Sequence, residues 1–118
     1  MLSKSAQSVQ DSLSNQGIHA KVVELPASTR TAEEAAKAIG CQVAQIAKSL
    51  VFRTKHSNKA ILVLASGVNR VNEKAIAKQV GEEIIKADAA FTRDKTGFAI
   101  GGIPPLGHKN PITTYNII

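Results

Sequence analysis

The sequence predicts an α/β (α+β) domain in which short, capped helices flank a mixed β-sheet. Capping residues and terminating glycines bracket stretches whose apolar residues recur at helical spacing. Between these stretches lie apolar runs of strand length, the clearest being AILVLA at 60–65. The chain contains no repeat, linker or low-complexity tract, so residues 1–118 are expected to form a single domain.

Four helices are predicted from their ends. Their ranges are 4–16, 32–39, 73–80 and 89–95, the last being only a turn or two of helix. The capping residues are Ser3, Thr31, Asn72 and Asp88, and the glycines after the helices are Gly17, Gly40, Gly81 and Gly97. In the TAEE stretch at 31–34, the Thr31 side chain is expected to accept from the Glu34 N–H while Glu34 reaches back, as in a capping box.

The strands are predicted from apolar runs bounded by turn residues. The predicted strands are IHAKVVEL (18–25, closed by Pro26), QVAQIAKSLVF (42–52), AILVLA (60–65), EIIKA (83–87) and PITTYNII (111–118). A turn is expected at 56–59, and 60–65 reads as the central strand because it is apolar throughout.

The composition favours an anionic partner. The chain has 15 Lys and Arg against 9 Asp and Glu, a net charge of +6, which indicates nucleic acid first. The positive charge is spread along the chain, so a merely basic protein is the alternative. With three Phe, one Tyr and no Trp, a base-stacking platform is not expected.

The same composition bears on metals, redox state and location. The single Cys41 excludes an internal disulfide and a cysteine-cluster metal site, and the three scattered histidines form no metal motif. No run approaches the roughly 18 apolar residues of a membrane span. The N-terminal residues carry charge and hydroxyls where a signal peptide is apolar. We therefore expect a reducing, cytoplasmic setting without a membrane or a metal.

Lys48 is a charged residue at an apolar position of the predicted 42–52 strand. It shares its parity with Ile46, Leu50 and Phe52, so an apolar face would carry an ammonium group. Two interpretations are open. The stem can lie along the sheet while the ammonium reaches an edge or a carboxylate, or Lys48 can line a cavity and bind an anionic group.

The loop GGIPPLG at 101–107 combines two glycines, which allow close approach to the backbone, with two stiffening prolines. Paired N–H groups in such a loop could bind a carbonyl oxygen or an oxyanion, and a structural corner is the alternative. His108 follows and is either a general base or a surface histidine. Arg70 is either a phosphate contact or part of a solvated loop.

Together these segments resemble the YbaK/prolyl-tRNA synthetase-associated domain family of aminoacyl-tRNA editing domains. The resemblance rests on TAEEAAKAIG, QIAKSLVF, ILVLASGVNRVNEKAIAKQVG, TGFAIGG and GGIPPLG, in that order. It implies a largely antiparallel, barrel-like sheet with flanking helices. It also implies a trans-acting deacylase that hydrolyses mischarged tRNA, often proline tRNA, without a metal or an organic cofactor.

The resemblance also assigns the pocket. Its central lysine corresponds to Lys48 and the following hydroxyl residue to Ser49. The glycine-rich loop corresponds to Gly101, Gly102, Ile103, Pro104, Pro105 and Gly107, with His108 beside it. On this basis we expect Lys48 to position the aminoacyl-adenosine end, the loop backbone to bind the carbonyl, and water or a substrate group to attack.

The chain departs from the family pattern at its end and near Leu25. Free-standing members continue beyond the position of Ile118, so we expect the family's last strand and helix to be missing and the last strand to be open to homodimer formation. Leu25 lies near a place where some members have an aromatic residue.

Two functions are alternatives to a deacylase. One is a non-catalytic module that binds tRNA or prolyl-tRNA synthetase, and the other is a small-molecule hydrolase.

Overall fold

The computed structural model describes residues 2–25, 31–100 and 102–116, and the predictions that concern Pro26, Gly101, Ile117 and Ile118 lie outside these residues. The helices are α1 (Lys4–Asn15), α2 (Ala32–Ile39), α3 (Glu73–Val80) and α4 (Ala89–Thr96). The strands are β1 (Ala47–Thr54), β2 (Ala60–Ser66), β3 (Ile84–Lys86) and β4 (Thr113–Asn116). A 3₁₀ turn, Val43–Gln45, precedes β1.

The four helices begin and end as their caps predict. In each, the N-cap side chain accepts a hydrogen bond from the backbone N–H three residues later. The N-cap residues are Ser3, Thr31, Asn72 and Asp88. The Glu34 carboxylate accepts from the Thr31 hydroxyl at 3.4 Å, which differs from the reciprocal backbone bond that we predicted.

The predicted strand at 18–25 is wrong. Two of its backbone groups bond to the side chain of Gln10 in α1: Gln10 Nε2 donates to Ala20 O at 3.0 Å, and Val22 N donates to Gln10 Oε1 at 2.7 Å. These polar groups therefore do not pair with a neighbouring strand. Val23 is 65% exposed, so its apolar side chain is not part of the core.

The predicted strand at 42–52 begins later than expected, at Ala47. Local bonds close the preceding residues into the 3₁₀ turn: Gln45 N donates to Gln42 O at 2.9 Å, and Gln42 N donates to Gln45 Oε1 at 2.9 Å. The glutamine side chain thus replaces a strand partner.

The sheet is mixed, as predicted, with the strand order β3-β1-β2-β4. β1 pairs antiparallel with β2 and β3, and β2 pairs parallel with β4. Among the described strands the sheet is open at both edges and does not close into a barrel. The last strand, β4, therefore forms one edge.

The core lies on the sheet face that α3 covers. Phe52 of β1, Ile61 and Val63 of β2, Ile76 of α3 and Ile84 of β3 form one buried cluster. Leu62, which points to the opposite face, is also fully buried. Both faces of β2 are therefore covered, as a central strand requires. In the described ranges, every helix is too short or too polar to cross a membrane.

Candidate functional site

A cavity lies beside the first half of β1. β3 pairs only with Phe52–Thr54, so no described strand covers the edge of β1 at residues 47–51. The cavity there has a volume of about 830 Å³. This volume is within the range of small-molecule sites, roughly 300–1,000 Å³.

The cavity wall is mainly apolar and carries a few polar groups. α2 contributes Ala32 and Ala35, and the loops after α4 contribute Ile100, Ile103 and Pro105. The polar and charged lining residues are Thr31, Lys48, Ser49, Arg70, Glu73, Lys86 and Thr92. Leu25, where the chain departs from the family pattern, also lines the cavity. An apolar wall with few polar groups is typical of a site that orients a small ligand.

Lys48 lies in this wall. It is opposite Ala65 of β2 and, by strand alternation, on the same face as Leu50 and Phe52. The side chain is half-buried, and its ammonium has no hydrogen bond or ion pair with any described residue. A cation without a protein partner in a cavity wall is available to a ligand.

The start of β1 is held by the end of β2. The buried Ser66 hydroxyl donates to Ala44 O at 2.7 Å, and Gly67 N donates to Ile46 O at 2.7 Å. A Cβ atom at Gly67 would lie 2.5 Å from Val43 O and 2.8 Å from Ala32 Cβ, so only glycine fits. This contact fixes the turn that leads directly into Lys48.

The 102–107 part of the loop lies at the other side of the cavity, where Ile103 and Pro105 line it. The Gly102 N–H donates to Ala99 O at 2.9 Å and is therefore already engaged in a turn. Proline has no N–H, so Ile103 supplies the next backbone donor in the loop, and this N–H has no acceptor among the described residues.

His108 supports the loop from behind. Its Nε2 donates to Pro104 O at 2.6 Å, and its ring contacts Phe98 edge-on at a centroid distance of 6.3 Å. Gly107 adopts a left-handed conformation (φ 77°) close to Ser12 of α1. Gly102, Pro104, Gly107 and His108 do not line the cavity, whereas Lys48, Ser49, Arg70, Ile103 and Pro105 do.

Glu73 is a lining residue that the sequence analysis did not identify. It begins α3, directly after the N-cap Asn72, and lies with Arg70 in the same wall. A carboxylate at this position can bind an ammonium group of a ligand. The position of Glu73 in the first turn of a helix was the available signal, but acidic residues there also stabilise the helix itself.

Thr92 of α4 is the second residue that was missed. It lines the cavity, it is fully buried, and its Oγ1 has no hydrogen-bond partner within the described ranges. Thr96, one turn later, donates its hydroxyl to Thr92 O at 2.8 Å, the usual bond for threonine within a helix. A threonine in a helix carries no sequence signal that distinguishes these two situations.

The arrangement provides the Lys48 cation, the Glu73 carboxylate, the Ile103 backbone donor and the Ser49 hydroxyl around an apolar cavity. Such a set can orient a polar ligand and polarise a carbonyl group. Among the described residues, no three His, Cys, Asp or Glu side chains are grouped so that they could hold a metal ion.

The family model of the aminoacyl-tRNA editing domain matches residues 26–116. The matched range contains the whole cavity apart from Leu25. The chain belongs to this family. The resemblance stated from the sequence motifs is thus confirmed.

Relatives agree with this assignment. The chain is 50% identical to a solved protein described as a candidate trans-editing enzyme for prolyl-tRNA synthetase, with a TM-score of 0.91 over 98% of this chain and 73% of that one. It is 36% identical over 87 residues, 70% of its length, to the proline–tRNA ligase of Limosilactobacillus fermentum. It is 34% identical over 86 residues, 73% of its length, to the uncharacterized protein YwhH of Bacillus subtilis. The chain spans only 15% and 54% of these two curated relatives.

Proposed function

We propose that the protein is a trans-acting aminoacyl-tRNA deacylase that hydrolyses the ester of mischarged proline tRNA. The observation that carries the proposal is the cavity that Lys48 lines together with Ile103 and Pro105 of the glycine- and proline-rich loop. Family membership supports the editing reaction, and the relative described for prolyl-tRNA synthetase supports the choice of tRNA.

In the proposed mechanism Lys48 positions the substrate. The Lys48 ammonium has no carboxylate partner among the described residues, so it is available to a ligand. In the proposal it binds an oxygen of the aminoacyl-adenosine end. The N–H of Ile103 is the loop donor for the ester carbonyl, since the Gly102 N–H is bound to Ala99 O. A donor whose hydrogen bond strengthens in the transition state lowers the activation free energy by several kcal/mol at most. The value is about 2.7–4 kcal/mol for one donor of a known oxyanion hole.

The attacking group is a water molecule, which the cavity or a hydroxyl of the substrate orients. Its oxygen forms a bond to the ester carbonyl carbon, the carbon–oxygen bond to the ribose breaks, and the ribose oxygen takes the proton that the water loses. When water attacks, the products are a free amino acid and uncharged tRNA. An aminoacyl ester is already activated, so positioning and carbonyl polarisation supply the help it needs.

Other parts of the wall orient the amino acid. Glu73 binds its α-ammonium group, and Ser49 lies beside Lys48 as a further polar contact. Arg70 contributes positive charge at the rim toward the phosphate of the terminal nucleotide. The proposed substrate carries a small wrong amino acid, whose side chain would lie against the apolar wall.

The proposal includes the setting of the reaction. The partners are the aminoacylated end of tRNA and prolyl-tRNA synthetase, and the location is the cytoplasm, where both act. A homodimer through the outer edge of β4 also belongs to the proposal. Sedimentation of the pure protein tests it, because a monomer at all concentrations would exclude it.

The deciding experiment measures the release of free amino acid from proline tRNA charged with alanine, cysteine or serine. We expect turnover by the wild-type protein and a loss of at least a hundredfold in Lys48→Ala. Lys55→Ala is the matched control, because Lys55 lies on the surface, paired with Glu83 at 3.2 Å.

Two results would overturn the proposal. Equal turnover by wild type and Lys48→Ala would reject the role of Lys48. Salt-dependent tRNA binding without hydrolysis of any charged tRNA would reject the enzyme and leave a binding module.

A further inference from the structure

Two cations share one aromatic ring near the cavity. Cζ of Arg53 lies 5.8 Å from the centroid of the Phe91 ring, and Nζ of Lys95 lies 5.7 Å from the same centroid. Arg53 belongs to β1, whereas Phe91 and Lys95 are one turn apart on α4. We call these three residues the Phe91 cluster. The ring attracts both cations and so holds two like charges close together.

The Phe91 cluster has no anionic partner in the described part of the chain. Neither Arg53 nor Lys95 forms an ion pair there, and Lys55–Glu83 is the salt bridge that the described residues contain. Arg53 Nη1 donates instead to the amide oxygen Asn58 Oδ1 at 2.9 Å. Two neighbouring positive charges without a carboxylate repel each other, so an added anion would be stabilised between them.

The guanidinium is also preorganised. Asn58, which holds it, has a φ of 57° in the left-handed region, where asparagine is tolerated, and closes the turn between β1 and β2. Arg53, Phe91 and Lys95 are all half-buried. A fixed guanidinium loses less conformational entropy on binding a phosphate than a free one does.

The position of the Phe91 cluster relates it to the cavity. Phe52 and Thr92 line the Lys48 cavity, and Arg53 and Phe91 are their immediate chain neighbours. Lys95 also lines a second, smaller cleft of about 530 Å³, together with Asn58 and Lys59. Both oxygens of Glu82, the carboxylate in that cleft, accept hydrogen bonds from His56 and Ser57. The cluster is thus adjacent in sequence to residues of the cavity wall, and its Lys95 also lines a cleft that contains Lys59 and the carboxylate of Glu82.

We propose that Arg53 and Lys95, held at Phe91, bind backbone phosphates of the tRNA acceptor strand while its aminoacyl end occupies the Lys48 cavity. The inference rests on the proposed function. Two separate cations beside the cavity match a chain of phosphates that leads into it, and the guanidinium suits bidentate contact with one phosphate. Because these contacts are electrostatic, they add affinity without selecting a sequence.

The test compares Arg53→Gln and Lys95→Gln with Lys55→Gln, an exposed lysine on the adjacent turn that is paired with Glu83. The probe is an uncharged RNA hairpin with the acceptor-stem sequence, titrated over a series of salt concentrations. We expect each cluster variant to lower the slope of log K against log salt by about 0.7–0.9, the value for one phosphate contact, and Lys55→Gln to leave it unchanged.

A conservative variant distinguishes the loss of a phosphate contact from a change in folding. Arg53→Lys keeps the charge and is expected to keep the salt slope, although it binds more weakly than arginine at a bidentate contact. Equal slopes in all variants, or an equal loss in Lys55→Gln, would overturn the inference. Tighter binding to an acidic peptide than to the hairpin would also overturn it and would indicate a protein partner.

A second substrate separates this inference from the proposed function. Aminoacyl-adenosine lacks the acceptor-strand phosphates, so the cluster variants are expected to hydrolyse it at the wild-type rate while their kcat/KM for charged tRNA falls about fivefold to tenfold. Slowed hydrolysis of aminoacyl-adenosine would contradict a phosphate role. Changed salt slopes in a protein that hydrolyses neither substrate would reject only the proposed function.

Discussion

The hydroxyl of Ser66 donates a hydrogen bond of 2.7 Å to the carbonyl oxygen of Ala44, across 22 residues of chain. This bond joins the end of the central strand to the 3₁₀ turn that precedes Lys48. The position of the candidate catalytic lysine therefore depends on a residue outside the cavity wall.

Ser66→Ala is expected to remove this bond. Ser66 is only 5% exposed, so we expect the free energy of unfolding to fall by about 1 kcal/mol, and kcat/KM for deacylation to fall further than stability explains. Urea unfolding and the deacylation assay measure the two effects. Ser14→Ala, at an exposed position on α1, should change neither, and wild-type kinetics in Ser66→Ala would show that the turn does not position Lys48.

Gly67→Ala tests the close approach beside it. The new Cβ atom would lie 2.5 Å from Val43 O, so the backbone must shift, and we expect a loss of about 1–3 kcal/mol in unfolding free energy. Gly102→Ala is the stability control, because its Cβ atom would meet only Ala99 O at 3.7 Å. Similar losses in the two variants would contradict the steric argument.

Thr92→Val replaces an unpaired buried hydroxyl with a methyl group. We expect it to raise the free energy of unfolding by about 1 kcal/mol, because a polar group without a partner is no longer buried. Thr96→Val, whose hydroxyl donates to Thr92 O, should lower it instead. Thermal or urea unfolding compares them. A destabilised Thr92→Val would show that the Thr92 hydroxyl has a partner.

The same substitution tests a role in the cavity. The Thr92 hydroxyl is covered in this structure, so a contact with the bound amino acid requires its neighbours to move; if that contact forms, Thr92→Val lowers kcat/KM while Thr92→Ser keeps it. Deacylation kinetics on serine- and alanine-charged tRNA measure this, and equal kinetics in all three proteins would exclude the contact.

His108→Gln distinguishes a support from a general base. Glutamine can still donate to Pro104 O, but it cannot take a proton at neutral pH. We expect His108→Gln to retain most of the activity, and His108→Ala to lose more, because the loop that carries Ile103 is then unsupported. Rates over a pH series check this. A large, equal loss in both variants would instead indicate proton transfer by His108.

Glu82 makes stability depend on pH. Hydrogen bonds from the Ser57 backbone and hydroxyl, and then from the His56 backbone, lower the pKa of the Glu82 carboxyl from its ordinary value of 4.5. A lowered folded-state pKa contributes stability that is present above pH 4.5 and is lost as the pH falls through the folded-state value. The stability difference between wild type and Glu82→Gln should therefore be constant near neutral pH and shrink in acid. Thermal unfolding at several pH values measures it, and a difference that stays constant far into acid would show that these hydrogen bonds do not favour the ionised carboxylate.

The helices could be predicted because their signals are local. Thr31, Asn72 and Asp88 each bond to a backbone N–H three residues away, so the sequence contains both partners side by side. The strand at 18–25 was predicted wrongly because Gln10, on another element, takes its backbone groups. No pattern within 18–25 reports that competitor.

In the candidate site, too, the residues with local sequence signals were predicted and the others were not. Strand parity and the composition of the loop indicated Lys48 and Ile103, since both signals lie within one element. Glu73 and Thr92 enter the cavity only because α3 and α4 are brought to the edge of β1. Their roles depend on tertiary arrangement, which neither capping nor periodicity encodes.

β3 stops after three residues, so among the described strands β1 is paired only with β2 at residues 47–51 and its other edge there is open. This open edge lowers stability, because the backbone hydrogen bonds that a longer β3 would form there are absent. The same opening leaves room for a bound molecule. A longer β3 would pair with this edge of β1 and close the cavity. We would expect such a protein to melt at a higher temperature and to have nowhere to admit a substrate.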